Sequence, residues 1–501
     1  MSIIQNVPCL SIMLTLFMAI ITSAVKGRMA RRLSIFITVL TGAMSLILLV
    51  YLVGTGESFV YTMGHFPAPW GNEVRAGMLE PALAILFCLI VLLSLWGGVE
   101  ETRRDLEEDK SNFYYIMVDL MLAANLALIY TNDMFTAYVF VEIGTIAACG
   151  LILGKFRDTT IEAGVRYMVM SLLGSGLLLM GICFFYTVTG HLLMSNVKEG
   201  MMQIAQSGAY LVPMMLTIGL VSVGLAIKSG LWPFHTWMPN AYGHSTVSSA
   251  AMLSSIVSKG YIILLIKVIY RMVGLDIFVS TKIVNVLFVF GIIGMIVGSV
   301  EAIRQTNLRK MIAFSSVAQI GYIYMGIGLG TEAGMEASVY HIFAHSTAKA
   351  LAFVAAAGLM KASGGKNTIA DLKGAGFRNK TAGVAFVAAS LSMIGIPGLG
   401  GFVSKMLFAT ASVDSTIHAA MVLSALALST VLNAVYFMKV VLVIYTPSGK
   451  EDIASGFRSG IAKNRLPYRA SVAGFIVLNL FLGIGVFPML HVIRYGLQIF
   501  G

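Results

Sequence analysis

The stretch that decides the fold lies between residues 246 and 272 and reads TVSSAAMLSSIVSKGYIILLIKVIYRM. It is long enough to cross a bilayer, which takes about 20 predominantly apolar residues, yet Lys259 stands in its middle. Similar apolar runs recur along the chain and are separated by short polar loops. We therefore expect a polytopic membrane protein that holds a few charged side chains inside the bilayer.

The composition of the 501-residue chain agrees with this expectation. Hydrophobic residues make up 58% and charged residues only 11%, whereas soluble domains have about 25% charged residues. A soluble enzyme, a nucleic-acid-binding protein and a disordered chain are excluded. We predict an all-α fold with about 14 transmembrane helices, in the apolar runs 9–25, 33–53, 78–98, 113–131, 133–153, 165–188, 210–230, 246–272, 279–303, 310–330, 333–360, 382–410, 413–445 and 469–497.

Two of these runs are interrupted. Gly230-Leu231-Trp232-Pro233 breaks the seventh run, and Gly395-Ile396-Pro397-Gly398 falls in the middle of the twelfth. Proline and glycine are tolerated at membrane depth where the freed backbone groups are buried in protein or face water. Broken helices in corresponding positions of two halves are typical of a transport path. We therefore predict that helices 7 and 12 are broken.

The basic residues are distributed unevenly between the two sides of the predicted membrane. Loops after odd-numbered runs, with their edges, carry 23 of the 34 lysines and arginines, and loops after even-numbered runs, with the tails, carry 5. Basic residues favour cytoplasmic loops, so both termini are expected outside the cytoplasm. This asymmetry accounts for most of the net charge of +11 without a nucleic-acid partner.

Six lysines lie inside apolar runs, where a charge costs about 2.5–3.5 kcal/mol on insertion scales. Such side chains must face one another or a hydrated internal cavity. For Lys228, Lys259 and Lys405 we expect a functional position. Lys267 and Lys439 instead fit side chains that snorkel to a helix end.

Two carboxylates also lie inside the runs. Glu142 stands mid-run in Phe140-Val141-Glu142-Ile143-Gly144 and needs a cation or a proton. Glu142 can pair with a lysine in this low-dielectric environment. The lysine then holds its proton while the ion pair is closed and can release it when the pair opens. A static buried ion pair is the alternative. For Asp119, structural pairing and function stay equally open.

His341, His345 and Lys349 are spaced i, i+4 and i+8 and form a stripe on one helix face. Histidine titrates near neutral pH and can accept a proton on one nitrogen while it donates from the other. A zinc site can use two histidines at this spacing, but nothing supplies further ligands, so no metal and no cofactor is expected. A hydrogen-bonded core histidine pair is the other alternative.

The stretch after the seventh run carries two further histidines. His235 and His244 follow Lys228 in a segment with two tryptophans and two prolines. Tryptophan and tyrosine prefer the membrane interface, so this segment is expected at the cytoplasmic boundary. The two histidines are either interface anchors or proton-uptake groups.

These motifs carry a resemblance. Residues 228–241, KSGLWPFHTWMPNA, look like the signature of the antiporter-like membrane subunits of respiratory complex I, membrane-bound hydrogenases and Mrp-type cation/proton antiporters. Residues 307–322, NLRKMIAFSSVAQIGY, the His341–Lys349 stretch and residues 395–405, GIPGLGGFVSK, match in the same order. The early stretch 61–71 leans toward Mrp-type or hydrogenase subunits, and the chain most resembles the D-type subunit of Mrp antiporters.

The resemblance implies an architecture. N-terminal helices 1–3 would occupy residues 1–112, and helix 14 would occupy 446–501. Between them would lie two inverted five-helix repeats, helices 4–8 in 113–272 and helices 9–13 in 273–445. Each repeat would contain one of the two broken helices.

The resemblance also implies roles along one proton-transfer axis. Glu142 and Lys228 would form the ion pair of the first half. Lys259 would be the central lysine, the His341–Lys349 stripe would bridge to the second half, and Lys405 would be the exit-side group.

The implied function is proton translocation by one subunit of a multisubunit complex in a prokaryotic cell membrane. Its partners would be other membrane subunits, lipids and protons, with redox subunits or a Na⁺ gradient as the driving force. Whether the complex is an enzyme, such as a quinone oxidoreductase or a hydrogenase, stays open. A Na⁺-carrying subunit and a purely structural subunit are the alternatives.

Overall fold

The fold is described by a computed structural model over residues 3–66, 71–107, 110–208, 210–413, 416–447 and 466–500. In these ranges thirteen helices are long and apolar enough to cross a membrane, and a pair of shorter helices fills the position of the twelfth span. The spans, numbered along the chain, are Val7–Ser23, Gly27–Thr55, Leu79–Gly97, Ser111–Tyr130, Met134–Leu153, Asp158–Thr189, Leu211–Ser229 with Met238–His244, Val247–Val273, Ile283–Arg304, Leu308–Gly328, Glu332–Ala362, Lys380–Ile394 with Gly400–Ala411, Thr416–Ile444 and Leu466–Ile484.

Shorter elements connect the spans. An antiparallel hairpin pairs Phe59–Thr62 with Glu73–Ala76. Residues 67–70 of the early motif lie outside the described residues, as do residues 448–465. The short connecting helices are Val99–Asp105, Met194–Ser207, Leu275–Ser280 and Ala375–Arg378.

The C-terminal run is two helices instead of the single helix expected over 469–497. Span 14 ends at Ile484, and a second helix, Val486–Phe500, begins after Gly485. Pro488 lies in the first turn of this helix, where the missing N–H has no partner to lose. One face of the helix is buried through Met489, Leu490, Ile493 and Leu497.

The two interrupted runs are broken helices, as predicted. The first half of span 7 ends at Ser229, where Gly230 has φ +79°. The first half of span 12 ends at Ile394, where Gly395 has φ +93°. Glycine adopts this left-handed conformation without a Cβ clash, so both helices stop at a defined residue.

The most buried spans lie at the centre of the bundle and carry the ionisable side chains. The apolar window of span 8 is 100% buried within the protein, and those of spans 10 and 11 are 94% buried, against 33% for spans 1, 2, 13 and 14. Lys259 and the His341–Lys349 stripe lie on spans 8 and 11. These groups are therefore surrounded by protein and not by lipid.

Span 8 departs from regular α-helix twice. Leu253–Val257 and Ile269–Val273 are π-helical turns, a feature that the sequence did not predict. Such turns leave backbone carbonyls without their usual helical partner and are frequent at functional sites. The first turn ends two residues before Lys259, and the second begins two residues after Lys267.

Candidate ion-translocation site

The first half of the site is the pair that the resemblance implied. Lys228, in the last turn of the first half of span 7, is 1% exposed. Its Nζ atom lies 3.7 Å from Oε1 of Glu142 on span 5 and 2.8 Å from Oγ1 of Thr145, one turn further along the same helix. The lysine therefore donates its hydrogen bond to the neutral hydroxyl of Thr145. Its distance to the Glu142 carboxylate is too long for a hydrogen bond, although the two charges still form an ion pair.

Tyr261 on span 8 completes the surroundings of this lysine. Its ring centroid lies 5.4 Å from Nζ of Lys228, and its hydroxyl lies 3.4 Å from Oγ1 of Thr145. A cation over an aromatic face is attracted by the ring quadrupole. Span 8 thus contacts both the lysine and its acceptor on span 5.

Lys259 occupies the centre of the bundle. The side chain is fully buried, and Nζ donates to the carbonyl oxygen of Ser254, which belongs to the first π-helical turn of span 8. The next carbonyl, that of Ser255, accepts a 2.8 Å hydrogen bond from Ser346 on span 11. The π turn thereby supplies acceptors to the central lysine and to the neighbouring span.

The three residues of the histidine stripe face two different environments. Lys349 is fully buried and donates to Ser315 and to the carbonyl of Ile312, both on span 10. The rings of His341 and His345 are parallel, with centroids 5.8 Å apart. The stripe expected from the i, i+4, i+8 spacing is therefore one continuous buried face.

The hydrogen bonds of His341 settle which ring nitrogen carries the hydrogen. Its Nδ1 lies 2.9 Å from Oγ of Ser404, whose hydroxyl donates to the carbonyl of Gly401 at 3.0 Å. The serine oxygen therefore accepts from Nδ1–H, which leaves Nε2 as a proton acceptor. Among the described residues this Nε2 atom, like both ring nitrogens of His345, has no hydrogen-bond partner.

A small cavity lies beside these rings. Its polar lining comes from Gln319, His341, His345, Ser392 and Lys405, and it has room for about one water molecule. The ring of Tyr322 stacks on His341 at 5.4 Å, and Nζ of Lys405 lies 5.6 Å from the Tyr322 ring centroid. The second half of the site is thus a contiguous group.

Lys405 is half-buried and bound at the break in span 12. Its Nζ atom donates to the carbonyl of Ile394 at 2.6 Å and to Oγ1 of Thr430 on span 13 at 2.8 Å. Ile394 is the last residue of the first half-helix. Free carbonyls at a helix C-terminus carry a partial negative charge that favours a cation. Lys228 differs, because it lies within the last turn of the first half of span 7 and donates to Thr145 on span 5.

Not every residue of the predicted axis is joined directly. In the described part of the chain no hydrogen bond links Lys228 to Lys259, or Lys259 to His345. His235 is buried in a 3₁₀ turn, with its ring 6.4 Å from that of Phe314, and His244 ends the second half of span 7. Within the described ranges, no hydrogen bond or ring contact joins His235 or His244 to an axis residue.

Some ionisable residues of the spans lie away from the axis. Lys267 is fully buried and donates to the carbonyls of Leu128 and Ile129 at 3.0 Å, near the C-terminal end of span 4. The expectation that Lys267 snorkels is wrong, because the end of span 4 offers buried acceptors. Lys439 is exposed near the C-terminal end of span 13, as expected.

Two further buried groups stand apart from the axis. Arg271 and Glu80 form a buried ion pair with Nη2 and Oε1 2.5 Å apart, between the second π turn and the start of span 3. Asp119 is fully buried, and its Oδ2 atom accepts hydrogen bonds from Thr22 at 3.1 Å and Ser34 at 2.9 Å. The sequence reasoning did not foresee the first pair.

The hydroxyl and aromatic partners of the lysines were also missed. Thr145, Tyr322, Ser404 and Thr430 each contact an axis residue. A signal existed only for Thr145, which lies three residues after Glu142 and therefore on the same helix face.

Fourteen spans, two broken helices and buried ionisable side chains on the central spans define a class, the polytopic ion-transport proteins. The sequence profile described as "NADH:quinone oxidoreductase/Mrp antiporter, TM" matches residues 131–432. This match covers more than half of the chain, and the chain belongs to that family.

Individual proteins give the same result. The chain is 29% identical over 492 residues to NADH-quinone oxidoreductase subunit N of Desulforudis audaxviator, which covers 96% of this chain and 95% of that protein. It is 24% identical over 448 residues to the D subunit of the Na⁺/H⁺ antiporter of Alkalihalophilus pseudofirmus, covering 88% and 85%. These relatives are named as subunits of larger assemblies.

Two solved structures share the fold. A chain of the Mrp complex from Dietzia superimposes with a TM-score of 0.85 at 22% identity, covering 99% of this chain and 97% of that chain. A chain of the archaeal membrane-bound sulfane sulfur reductase superimposes with a TM-score of 0.84 at 22% identity, covering 99% and 96%. The expected architecture of about 14 spans with broken helices 7 and 12 is confirmed.

Proposed function

We propose that this antiporter-like chain translocates protons as one subunit of a multisubunit membrane complex. The proposed path runs through the interior of the bundle from span 5 to span 12. Its residues are Glu142, Lys228, Lys259, His341, His345, Lys349 and Lys405.

One observation carries this proposal above the others. Lys228, Lys259 and Lys349 are each at most 1% exposed, and their hydrogen bonds go to neutral hydroxyl or carbonyl groups. An unpaired charge inside a protein is costly. Among the described residues, Lys228 has a carboxylate oxygen at 3.7 Å, Oε1 of Glu142, while no ion pair is formed by Lys259 or Lys349. A row of such lysines can therefore pass a proton on, whereas tightly closed ion pairs would hold it.

Water would connect the groups that the protein leaves apart. The unpartnered nitrogens of His341 and His345 line the small cavity with Gln319 and Lys405. Buried water typically occupies sites where polar groups lack protein partners. A single water there would join the acceptor Nε2 of His341 to its neighbours, and rearrangement around Lys259 would extend the path to the first half.

The driving force is proposed to come from partner subunits, since the relatives are named as an NADH-quinone oxidoreductase subunit and a Na⁺/H⁺ antiporter subunit. We assign no cofactor to this chain. The proposal includes both termini outside the cytoplasm, and two inverted repeats over 113–272 and 273–445. The breaks support this repeat, because each falls in the fourth of its five helices.

The experiment is proton flux in liposomes that contain the intact complex. Lys228→Ala, Lys259→Ala and Lys405→Ala are each expected to abolish most of the flux while the complex assembles normally. Lys439→Ala is the matched control, because it also removes a lysine from a span but at an exposed position. Normal flux in all three axis variants would reject proton transfer and leave a structural role for this chain.

A second candidate is Na⁺ transport by this chain, and the site of Asp119 favours it. The buried carboxylate and the hydroxyls of Thr22 and Ser34 form an oxygen-only group, and hard cations prefer oxygen ligands. Labelling of Asp119 by a carbodiimide should fall in proportion to Na⁺ concentration if Na⁺ binds there. Labelling that is independent of Na⁺ would exclude this site as a sodium site.

A further inference from the structure

A pocket rich in positive charge lies where spans 1, 2 and 4 meet the loop after span 3. We call it the basic pocket. Its charged lining is Lys26, Arg28, Arg31 and Arg103, and Ser111 and Asn112 add polar side chains. The charge distribution of the chain assigns this side of the bundle to the cytoplasm.

The four cations of the basic pocket are not neutralised within the described residues. Lys26, Arg28, Arg31 and Arg103 form no ion pair there, and no aspartate or glutamate of those residues lines the pocket. The described acids nearby have partners outside the pocket. These pairs are Glu100 with Lys361, Glu101 with Lys155, Asp105 with Lys155 and Arg104, and Glu107 with Lys110.

Backbone and side-chain donors add to the same charge. Span 2 begins at Gly27 and span 4 begins at Ser111, so the N-termini of two long helices open into the pocket. A helix N-terminus carries a partial positive charge that favours an anion. The Nε atom of Arg31 is buried and has no acceptor among the described residues. Among the described residues, the four cations of the pocket and the buried Nε atom of Arg31 thus favour a negatively charged group.

Exposed apolar side chains lie on the same two helices that line the pocket. Met29 and Phe36 on span 2 are 51% and 57% exposed, and Phe113 on span 4 is 38% exposed. In a membrane protein such side chains contact acyl chains. The anion that enters the pocket would therefore have hydrocarbon attached on the side of these residues.

We infer that the basic pocket binds the phosphate headgroup of an anionic phospholipid in the cytoplasmic leaflet. Basic pockets between membrane helices on this side of a bilayer are suited to such headgroups. Arg31 and Arg103 hold the phosphate from two sides, span 2 and the helix Val99–Asp105, while the acyl chains lie along span 2. The lipid would tie the N-terminal spans to the loop after span 3.

The test is native mass spectrometry of the full-length chain in mild detergent, titrated with phosphatidylglycerol or phosphatidylcholine. We expect selective retention of phosphatidylglycerol. Each cation near an anionic lipid contributes enough for about a fivefold change in affinity. The double variant Arg31→Gln/Arg103→Gln should therefore bind phosphatidylglycerol about 25-fold more weakly, and Arg31→Lys/Arg103→Lys, which keeps both charges, should stay close to wild type.

Arg32→Gln is the matched control, because Arg32 is exposed beside Arg31 and does not line the pocket. Its affinity should change by less than about twofold, because an exposed charge outside the pocket is screened by salt. Equal binding of both lipids, or wild-type affinity in the Arg31→Gln/Arg103→Gln variant, would overturn the inference. Displacement of the lipid by millimolar inorganic phosphate would assign the pocket to free phosphate instead.

A photoactivatable phosphatidylglycerol provides the measurement in the intact complex, where no variant has to fold. We expect it to label residues of the basic pocket, within Gly27–Arg31 or Ser111–Tyr115. If a chemical cross-linker placed at Asn112 captures an acidic segment of a partner subunit and the lipid labels nothing there, the pocket is a protein interface and the lipid assignment fails.

Discussion

Lys228 and Thr145 are joined by a 2.8 Å hydrogen bond from Nζ to Oγ1. The Glu142 carboxylate, one turn away on the same face of span 5, lies 3.7 Å from the same nitrogen. The lysine thus has two acceptors within a small movement of its flexible side chain, one charged and one neutral. Its proton is held firmly at the first acceptor and less firmly at the second.

Thr145→Val is expected to lower proton flux, because it removes the neutral acceptor and leaves Lys228 only the carboxylate. A hydrogen bond to a charged group contributes about 1.5–3 kcal/mol, so the flux should fall about tenfold or more. Thr145→Ser retains the hydroxyl and should transport nearly as well as wild type. Flux measured with a pH-sensitive dye in liposomes distinguishes the two, and equal rates for valine and serine would reject the two-position lysine.

Gly395→Ala is expected to impair transport through its effect on Lys405. A Cβ atom at Gly395 would lie 2.9 Å from Cδ of Lys405, so the lysine would be displaced from the carbonyl of Ile394. Gly398→Ala is the matched control. Gly398 has φ +89°, close to the +93° of Gly395, but its Cβ would meet nothing within 4 Å.

Both alanine variants therefore carry similar backbone strain of about 1–2 kcal/mol, and only one displaces the lysine. The measurements are thermal unfolding and proton flux. We expect equal losses of stability but a much larger loss of flux for Gly395→Ala. Equal flux in the two variants would show that the position of Lys405 does not limit transport.

The fold was largely predictable because each membrane span is a long apolar run, and such runs are easily recognised in a sequence. Each of the 14 runs contains a helix, and both breaks fall at the predicted glycines. The error at 469–497 arose because Gly485 and Pro488 stand in a run that stays apolar on both sides. Hydropathy does not distinguish one long helix from two helices that meet at a bend.

From the sequence, only those residues of the candidate site could be predicted whose charge is unfavourable inside a membrane span. A lysine in a span is conspicuous, so Lys228, Lys259 and Lys405 were found, but their partners Thr145 and Thr430 are common residues in helices. The first π turn of span 8 packs against span 11 and the second against the connecting helix Met194–Ser207, and such packing is not visible in the sequence. The acceptors of Lys267 lie at the far end of another helix, a relationship that spacing along one helix does not reveal.

Arg271→Met is expected to destabilise the protein strongly without a specific effect on transport. The substitution leaves Glu80, which is 1% exposed, without its cation. Breaking a buried ion pair on one side costs about 3–5 kcal/mol, whereas replacing both partners by apolar residues is often neutral. The double variant Glu80→Leu/Arg271→Met should therefore recover much of the stability in thermal unfolding. A double variant as unstable as the single one would show that packing, not charge, makes the pair important.

The ion pairs of Asp105, outside the membrane spans, should make the stability of the protein fall in acid. Its carboxylate lies 2.6 Å from Nζ of Lys155 and 3.1 Å from Nε of Arg104. Burial tends to raise the pKa of Asp105, but the hydrogen bonds and charges of Lys155 and Arg104 outweigh it, and the net pKa is lowered. A carboxyl whose pKa is lowered in the folded state stabilises the fold above its unfolded pKa of about 3.9, and this contribution is lost as the pH falls through the folded pKa.

Asp105→Asn should therefore lower the unfolding temperature at about pH 7 and reduce the decline of that temperature below about pH 4. Asp276→Asn, at an exposed position, should do neither, and an equally steep acid decline in Asp105→Asn and wild type would assign the acid sensitivity to other carboxylates.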